Sequence, residues 1–362
     1  MTVAPDRFRA RLVRFAAEEC RGNSRLYEVV CNEMAADDAL LEFVASALRQ
    51  PSQPTLPLAA VHYLLLGGAD GGGLERFYPN LTAAPEPPEQ AYPAFRAFVL
   101  AHRQPLAELL ATRGTQTNEV GRCSYLLPAY VIAAQRAKGP LAIVDVGSSA
   151  GLTLLFDRYA YDYGGATAGD ARSAVRIRTE MRGAPAVTAP MPDVAERIGI
   201  DLSPVALDDG DAVRWLEACV WPEHIDRFAN LRAAIAVARA TPPRIVPGSA
   251  ADRLPSVVAG IDRALALVIV NTAVMLYFPR DERARYAALL GEIGAQRETF
   301  WIANEHPAFL HEAGFGAALE MPDPSALPVA MTHWRNGNRE ARVLGWVGPH
   351  ARWLDWLGAP DD

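Results

Sequence analysis

The run from Leu141 to Arg158, LAIVDVGSSAGLTLLFDR, constrains this chain more than any other. Its first part, Leu141 to Val146, is a short apolar stretch that reads as a buried parallel strand. Gly147, Ser148, Ser149, Ala150 and Gly151 form a tight turn of small residues. Leu152, Leu155 and Phe156 follow at helical spacing. Strand, small-residue turn and helix together open a parallel α/β sheet. Glycine lets backbone approach a ligand closely, and the first turn of a helix offers N–H groups that the helix itself leaves unpaired. An ordinary strand–helix connection with no ligand has the same outline, so the rest of the chain must discriminate.

Two chemistries fit the turn. Asp145-Val146-Gly147-x-x-x-Gly151 resembles the first motif of the Rossmann-like S-adenosylmethionine-dependent methyltransferases, with an acidic residue at the strand end and glycines beneath the cofactor. Ser149 stands where that motif usually has its middle glycine. The same five residues fit G-x-S-x-G, the nucleophile elbow of α/β-hydrolases, with Ser149 as nucleophile.

Composition narrows the class. The chain has 362 residues, enough for one large or two ordinary domains, and half are hydrophobic, so it reads as globular. Its 35 basic residues against 42 acidic ones give a net charge of −7, and no long basic run appears. That disfavours binding to a nucleic-acid backbone. The start, MTVAPDRFRARLVRF, lacks the apolar core of a signal peptide, and no run approaches the roughly 20 apolar residues of a membrane span. Cys20, Cys31, Cys123 and Cys219 lack C-x-x-C spacing and read as free thiols in a reducing cytoplasm.

The first third is helical by pattern. Phe8, Leu12, Phe15 and Ala16 share one face. After Gly22-Asn23-Ser24, Leu26, Val29 and Val30 and then Leu40, Leu41, Val44 and Leu48 repeat the theme. Pro51, Pro54 and Pro57 form a spacer, Leu58–Leu66 a short helix, and Pro79–Pro93 a second connector. Phe95–Thr112 and Glu119–Lys138 are helical again. No convincing strand precedes Leu141, whereas an α/β-hydrolase lays down several strands before its elbow. Between the last two helices lies a dense polar run containing Arg113, Gln116, Asn118, Glu119 and Arg122. It reads either as a helix cap, with Thr117 or Asn118 as N-cap, or as a clamp for substrate or cofactor beside the turn at Gly147.

The segments QTNEVGR, VDVGSSAGLTLLFDRYAYDYG, RIGIDLSP and WLEACVWPEHIDR together resemble an uncharacterised bacterial family, domain of unknown function 2332, over nearly the whole chain. The resemblance implies a methyltransferase-like Rossmann fold with the QTNE and GSSAG segments as its signature. It supplies no substrate.

Beyond the turn, Tyr159, Tyr161 and Tyr163 alternate, as in a strand or a ligand-facing loop. Arg197–Pro204 is a short apolar strand ending in Asp201, which resembles the second methyltransferase motif, where a carboxylate accepts both ribose hydroxyls. The gap from Gly151 is long, which points to an insertion at about 159–196. Glu180 is the competing ribose residue. Asp211–Ala240 is helical with a break at Trp221-Pro222, and His224 there reads as structural. Pro243–Gly248 is the next strand, followed by Ser249, Ala250 and Asp252 near the expected adenine position. Leu265–Val270 is a strand ending at Asn271, which would border the transfer point, with Tyr277 just beyond. Glu282–Ile293 is a helix. Thr299–Ala303 is a strand closing on Glu305 and His306, the best acid/base pair in the chain. His306 and His311 are five apart, a poor spacing for a metal site. Pro328–Arg335, Asn336-Gly337 and Arg339–Val347 form a β-hairpin.

The sequence therefore predicts a helical N-terminal cap over 1–125 and an α/β Rossmann-like methyltransferase domain over 126–362, its mostly parallel sheet ending in the antiparallel hairpin. The expected activity is S-adenosylmethionine-dependent methyl transfer to a small-molecule acceptor. Asp145, Gly147, Ser149, Gly151, Asp201, Ser249, Ala250 and Asn271 would hold the cofactor. Arg113, Gln116, Asn118, Glu119, Arg122 and Tyr277 would hold the acceptor, and Glu305 with His306 would supply the base. No metal, nucleic acid or membrane is expected. The cap suits either an acceptor lid or a homodimer interface. The alternatives are a serine hydrolase using Ser149, with Asp252 or Asp201 and His306, and a non-catalytic module that binds a nucleotide-like ligand. A nicotinamide-dependent oxidoreductase fits less well, because the second glycine is absent and the hairpin is wrong for it.

Overall fold

The computed structural model describes residues 4–49, 54–183, 190–316 and 319–358. Pro51 of the expected spacer and residues 184–189 of the expected insertion lie outside the described residues. The chain divides into two compact units. One comprises Met1–Thr117 and Asp208–Ala229, the other Asn118–Leu207 and Asn230–Asp362. The division therefore falls at Thr117 rather than at 125, and a later segment returns to the helical unit. The reason is apolar burial: Trp215, Ala218 and Trp221 lie in one core with Phe8, Leu12 and Tyr27.

The helical unit is built from Pro5–Phe15, Arg25–Ala36, Asp38–Ala47, Thr55–Leu66, Ala91–Ala101, Arg103–Thr112 and Gly210–Ala218. Short polar side chains start several of these helices. Ser24 Oγ accepts the Tyr27 N–H at 3.1 Å, and Asp37 accepts that of Leu40 at 3.1 Å. The single helix expected over 95–112 is two, broken at His102, whose backbone leaves the helical region (φ −112°, ψ 30°). Thr55–Leu66 opens before the expected Leu58, because Pro57 falls in its first turn, where no N–H is needed.

Among the described residues the strands all belong to the second unit. They are β1 (Leu141–Val146), β2 (Ala160–Asp162), β3 (Thr167–Gly169), β4 (Arg176–Arg178), β5 (Glu180–Gly183), β6 (Val194–Asp201), β7 (Arg244–Pro247), β8 (Ala266–Thr272), β9 (Thr299–Asn304), β10 (Leu327–Arg335), β11 (Asn338–Val347) and β12 (Trp353–Trp356). The main sheet runs β5-β12-β11-β10-β9-β8-β1-β6-β7, and β3-β2-β4 form a small separate sheet. From β7 to β9 neighbours are parallel; β9 to β12 are antiparallel. The fold is mixed α/β with a large, mostly parallel sheet. β1 and β8 are buried at every position, as their near-continuous apolar runs require. The hairpin turns at Asn336 (φ 51°) and Gly337 (φ 78°), the two left-handed positions of a type I′ turn. β12 pairs parallel with β5, an addition beyond the expected hairpin.

Numbered along the chain, the five parallel strands stand in the order 3-2-1-4-5, reversing between β1 and β8. In open α/β sheets ligands bind outside the carboxyl ends of the strands at such a reversal. The register brings those ends level: Val146 lies beside both Ile200 and Asn271, Asp201 beside Pro247, and Thr272 beside Asn304.

Candidate functional site

The turn after β1 has three left-handed residues, Gly147 (φ 78°), Ser149 (φ 54°) and Gly151 (φ 72°). Glycine tolerates this conformation; serine is strained in it. A Cβ on Gly147 would lie 2.5 Å from Val274 Cγ2, and one on Gly151 would lie 2.6 Å from Pro243 Cγ. Both glycines are thus required by the chain's own packing.

The segment after the turn departs from expectation. Leu152–Arg158 is a short 3₁₀ element with a non-helical Leu155, not an α-helix. Tyr159 Oη donates to Leu152 O at 2.7 Å and Tyr161 Oη to Phe156 O at 2.6 Å, so tyrosines occupy carbonyls that an α-helix would use. The turn's N–H groups are also engaged. Gly147 and Ser148 donate to Ile200 O, Gly151 to Ser148 O, and Leu152 to Asn118 Oδ1 at 3.0 Å. Asn118 therefore holds the turn and caps no helix. The Oγ atoms of Ser148 and Ser149 are buried and, among the described residues, have no hydrogen-bond partner.

Carboxylates surround this turn. Asp201, at the end of β6, accepts the Ser149 N–H at 2.7 Å and the Ser203 N–H at 2.8 Å. Glu180 sits on β5 at the far side of the sheet. Only Asp201 occupies the strand beside β1. Asp145 is buried, with Thr153 Oγ1 donating to its Oδ2 at 2.5 Å. Burial pushes its carboxyl up to about 6, against the pull of Thr153 and of the Arg122 charge.

A second polar cluster lies at the ends of β8 and β9. Glu305 is 1% exposed. Its Oε1 accepts three bonds: from Asn271 Nδ2 at 2.9 Å, Val274 N at 2.8 Å and Met275 N at 3.2 Å. Burial raises its carboxyl above the ordinary range, opposed by these donors and by Arg122. Asn271, fully buried, accepts Tyr286 Oη at 3.1 Å and Trp301 Nε1 at 2.6 Å. With both ends of its amide committed, Asn271 ties together Glu305, Tyr286 and Trp301. The Glu305–His306 pair does not form. Successive residues leave a strand end on opposite sides, so Glu305 turns inward while His306 is exposed, its Nδ1 accepting the Ala308 N–H at 3.2 Å. Arg122 Nη1 donates to Thr272 O at 2.9 Å and Thr272 Oγ1 at 3.1 Å.

A family model described as an uncharacterised protein conserved in bacteria (DUF2332) matches residues 9–356. The chain belongs to DUF2332. No curated protein and no solved structure matches it.

In this DUF2332 chain the remaining expected residues are held as follows. The polar run divides between the units. Arg113 and Gln116 belong to the helical one, where Arg113 pairs with Asp211 and lies over the Trp215 ring. Asn118, Glu119 and Arg122 belong to the other. Glu119 accepts the Gly121 N–H at 3.0 Å. Ser249 caps Ala250–Ala259 through the Asp252 N–H, Ala250 is buried, and Asp252 pairs with Arg285 at 2.7 Å. Tyr277 is exposed in the turn after β8. The four cysteines are free, Cys20, Cys31 and Cys123 being buried. Among the described residues no His, Cys, Asp or Glu group is placed to hold a metal, and no helix is long and apolar enough to cross a membrane. Sequence reasoning missed Thr153, Thr272, Val274, Tyr286 and Trp301. Thr153, Tyr286 and Trp301 fall inside runs read as helix or strand, Thr272 and Val274 in or after the strand end at Asn271, and only pairing distant in sequence reveals their roles.

Proposed function

We propose that this chain binds S-adenosylmethionine at the carboxyl ends of β6, β1 and β8 and transfers its methyl group to a small-molecule acceptor. The observation that carries the reading is Asp201. It ends the strand beside β1, and its half-buried carboxylate reaches the backbone of the glycine turn. A carboxylate oxygen accepts more than one hydrogen bond, so Asp201 can take two ribose hydroxyls alongside its present N–H donors. The donor set suits such a ligand at this point. Ser149 offers a buried hydroxyl that, among the described residues, has no partner, beside Asp201, and Arg122 places a guanidinium at Thr272, next to the turn. The sulfonium supplies the activated methyl. The chain's residues supply alignment, which an in-line displacement needs most. Ser249, Asn271 and His306 have no part in this reading.

Calorimetric titration with S-adenosylmethionine and S-adenosylhomocysteine tests it: saturable binding of both is expected, and a folded, ligand-free sample that binds neither contradicts it. One observation favours a second reading. Ser149 is left-handed at a strand-to-turn junction, as at a nucleophile elbow. Against it, no base among the described residues is hydrogen-bonded to Ser149 Oγ. A fluorophosphonate probe that labels Ser149 would favour the hydrolase.

A further inference from the structure

Glu305 stands one strand away from β8 and two from β1, yet it controls a wall of the candidate site. Its Oε1 holds the N–H groups of Val274 and Met275 and the side chain of Asn271. The bend that brings those N–H groups round is tight: Ala273 is left-handed (φ 51°) and its N–H donates to Asn304 O at 2.9 Å. A non-glycine residue in that conformation persists only where its surroundings hold it. The same bend lays Val274 against Gly147, so closely that the glycine cannot carry a Cβ. A chain of contacts thus runs from a buried carboxylate just past the end of β9, through Val274, to the first residue of the β1 turn.

We propose that Glu305 is a positioning residue for the candidate site, holding Val274 against Gly147 so that the β1 turn keeps its ligand-receiving shape. The inference rests on the cofactor reading above. It replaces a proton-transfer role for Glu305 with a geometric one, which Gln can perform. The Gln amide oxygen can accept the same three N–H donors that Oε1 accepts now.

The test is calorimetric titration of the full chain with S-adenosylmethionine, with thermal unfolding followed in parallel, for Glu305→Gln, Glu305→Ala, Val274→Ala and the double variant Glu305→Ala/Val274→Ala. Affinity should fall about tenfold or more in Glu305→Ala and stay within about threefold of wild type in Glu305→Gln. Val274→Ala should also lose affinity, and the double variant should bind no worse than the weaker single one, because both act through one contact. Wild-type affinity in Glu305→Ala at a lowered unfolding temperature would overturn the proposal and leave Glu305 merely structural. Additive losses would overturn it too, as would failure of Glu305→Gln to restore binding. If Glu305→Ala does not fold, Glu305→Gln and Val274→Ala still decide the matter. Wild-type protein that binds no S-adenosylmethionine defeats the cofactor reading itself, and this inference with it.

Discussion

The helical unit and the α/β unit bury different things. In the helical unit the interior is aromatic and aliphatic, and its buried polar residues among those described are Ser24, His62 and His224. The α/β unit buries Glu119, Asp145 and Glu305. A carboxylate taken out of water is strongly destabilising unless donors meet it. Asp145 and Glu305 both lie at the carboxyl ends of strands, and each has its donors. One interior is therefore organised for packing alone. The other concentrates unfavourable burial at one edge of its sheet, and that is where a site belongs.

The comparison breaks if packing changes in the helical unit disturb the site. Phe8→Ala should give the largest stability loss, about 3–5 kcal/mol, since Phe8 is wholly buried in an apolar core. Denaturant unfolding followed by circular dichroism measures it, and S-adenosylmethionine affinity should be unchanged. Asp145→Asn should do the opposite. Burial raises the Asp145 carboxyl from 3.8 to about 6 in the folded chain. The folded state therefore holds this proton more tightly than the unfolded state. The cost of ionised Asp145 is absent below pH 4, grows through pH 4–6 and is complete above, on the order of 3 kcal/mol. Asp145→Asn should accordingly be more stable than wild type at pH 8 and equal to it near pH 4, while binding S-adenosylmethionine more weakly. Unfolding curves at the two pH values decide the first point, and equal stability at pH 8 would remove the supposed strain. The smallest effect belongs to Ser249→Ala, about 1 kcal/mol for a lost N-cap. Its thermal midpoint should drop with no change in binding, and a large loss of affinity would return Ser249 to the site.

Local pattern carried much of this into the sequence. The apolar runs of β1, β8 and β9 and the Asn336-Gly337 turn are short-range signals, and all lie close to where they were read. Asp201 was legible for the same reason, as an acidic residue closing an apolar strand. What escaped depends on partners far along the chain. Trp215 and Trp221 show an amphipathic pattern but do not say which core they join. The 3₁₀ geometry after Gly151 follows from Tyr159, Tyr161 and Asn118, none of which lies in the helical repeat. Glu305-His306 looked like a pair because they are adjacent. Strand-end alternation sends adjacent residues apart, and of the three donors that meet buried Glu305 one lies on β8 and two in the bend that follows it.

The most direct test of the account is S-adenosylmethionine titration of wild type beside Asp201→Ala, at matched folding by circular dichroism. Saturable binding by the wild type, weakened about tenfold or more in the variant, is the predicted result. Equal affinity in the two would contradict the assignment of the β1–β6 edge as the cofactor site, whatever else the chain binds.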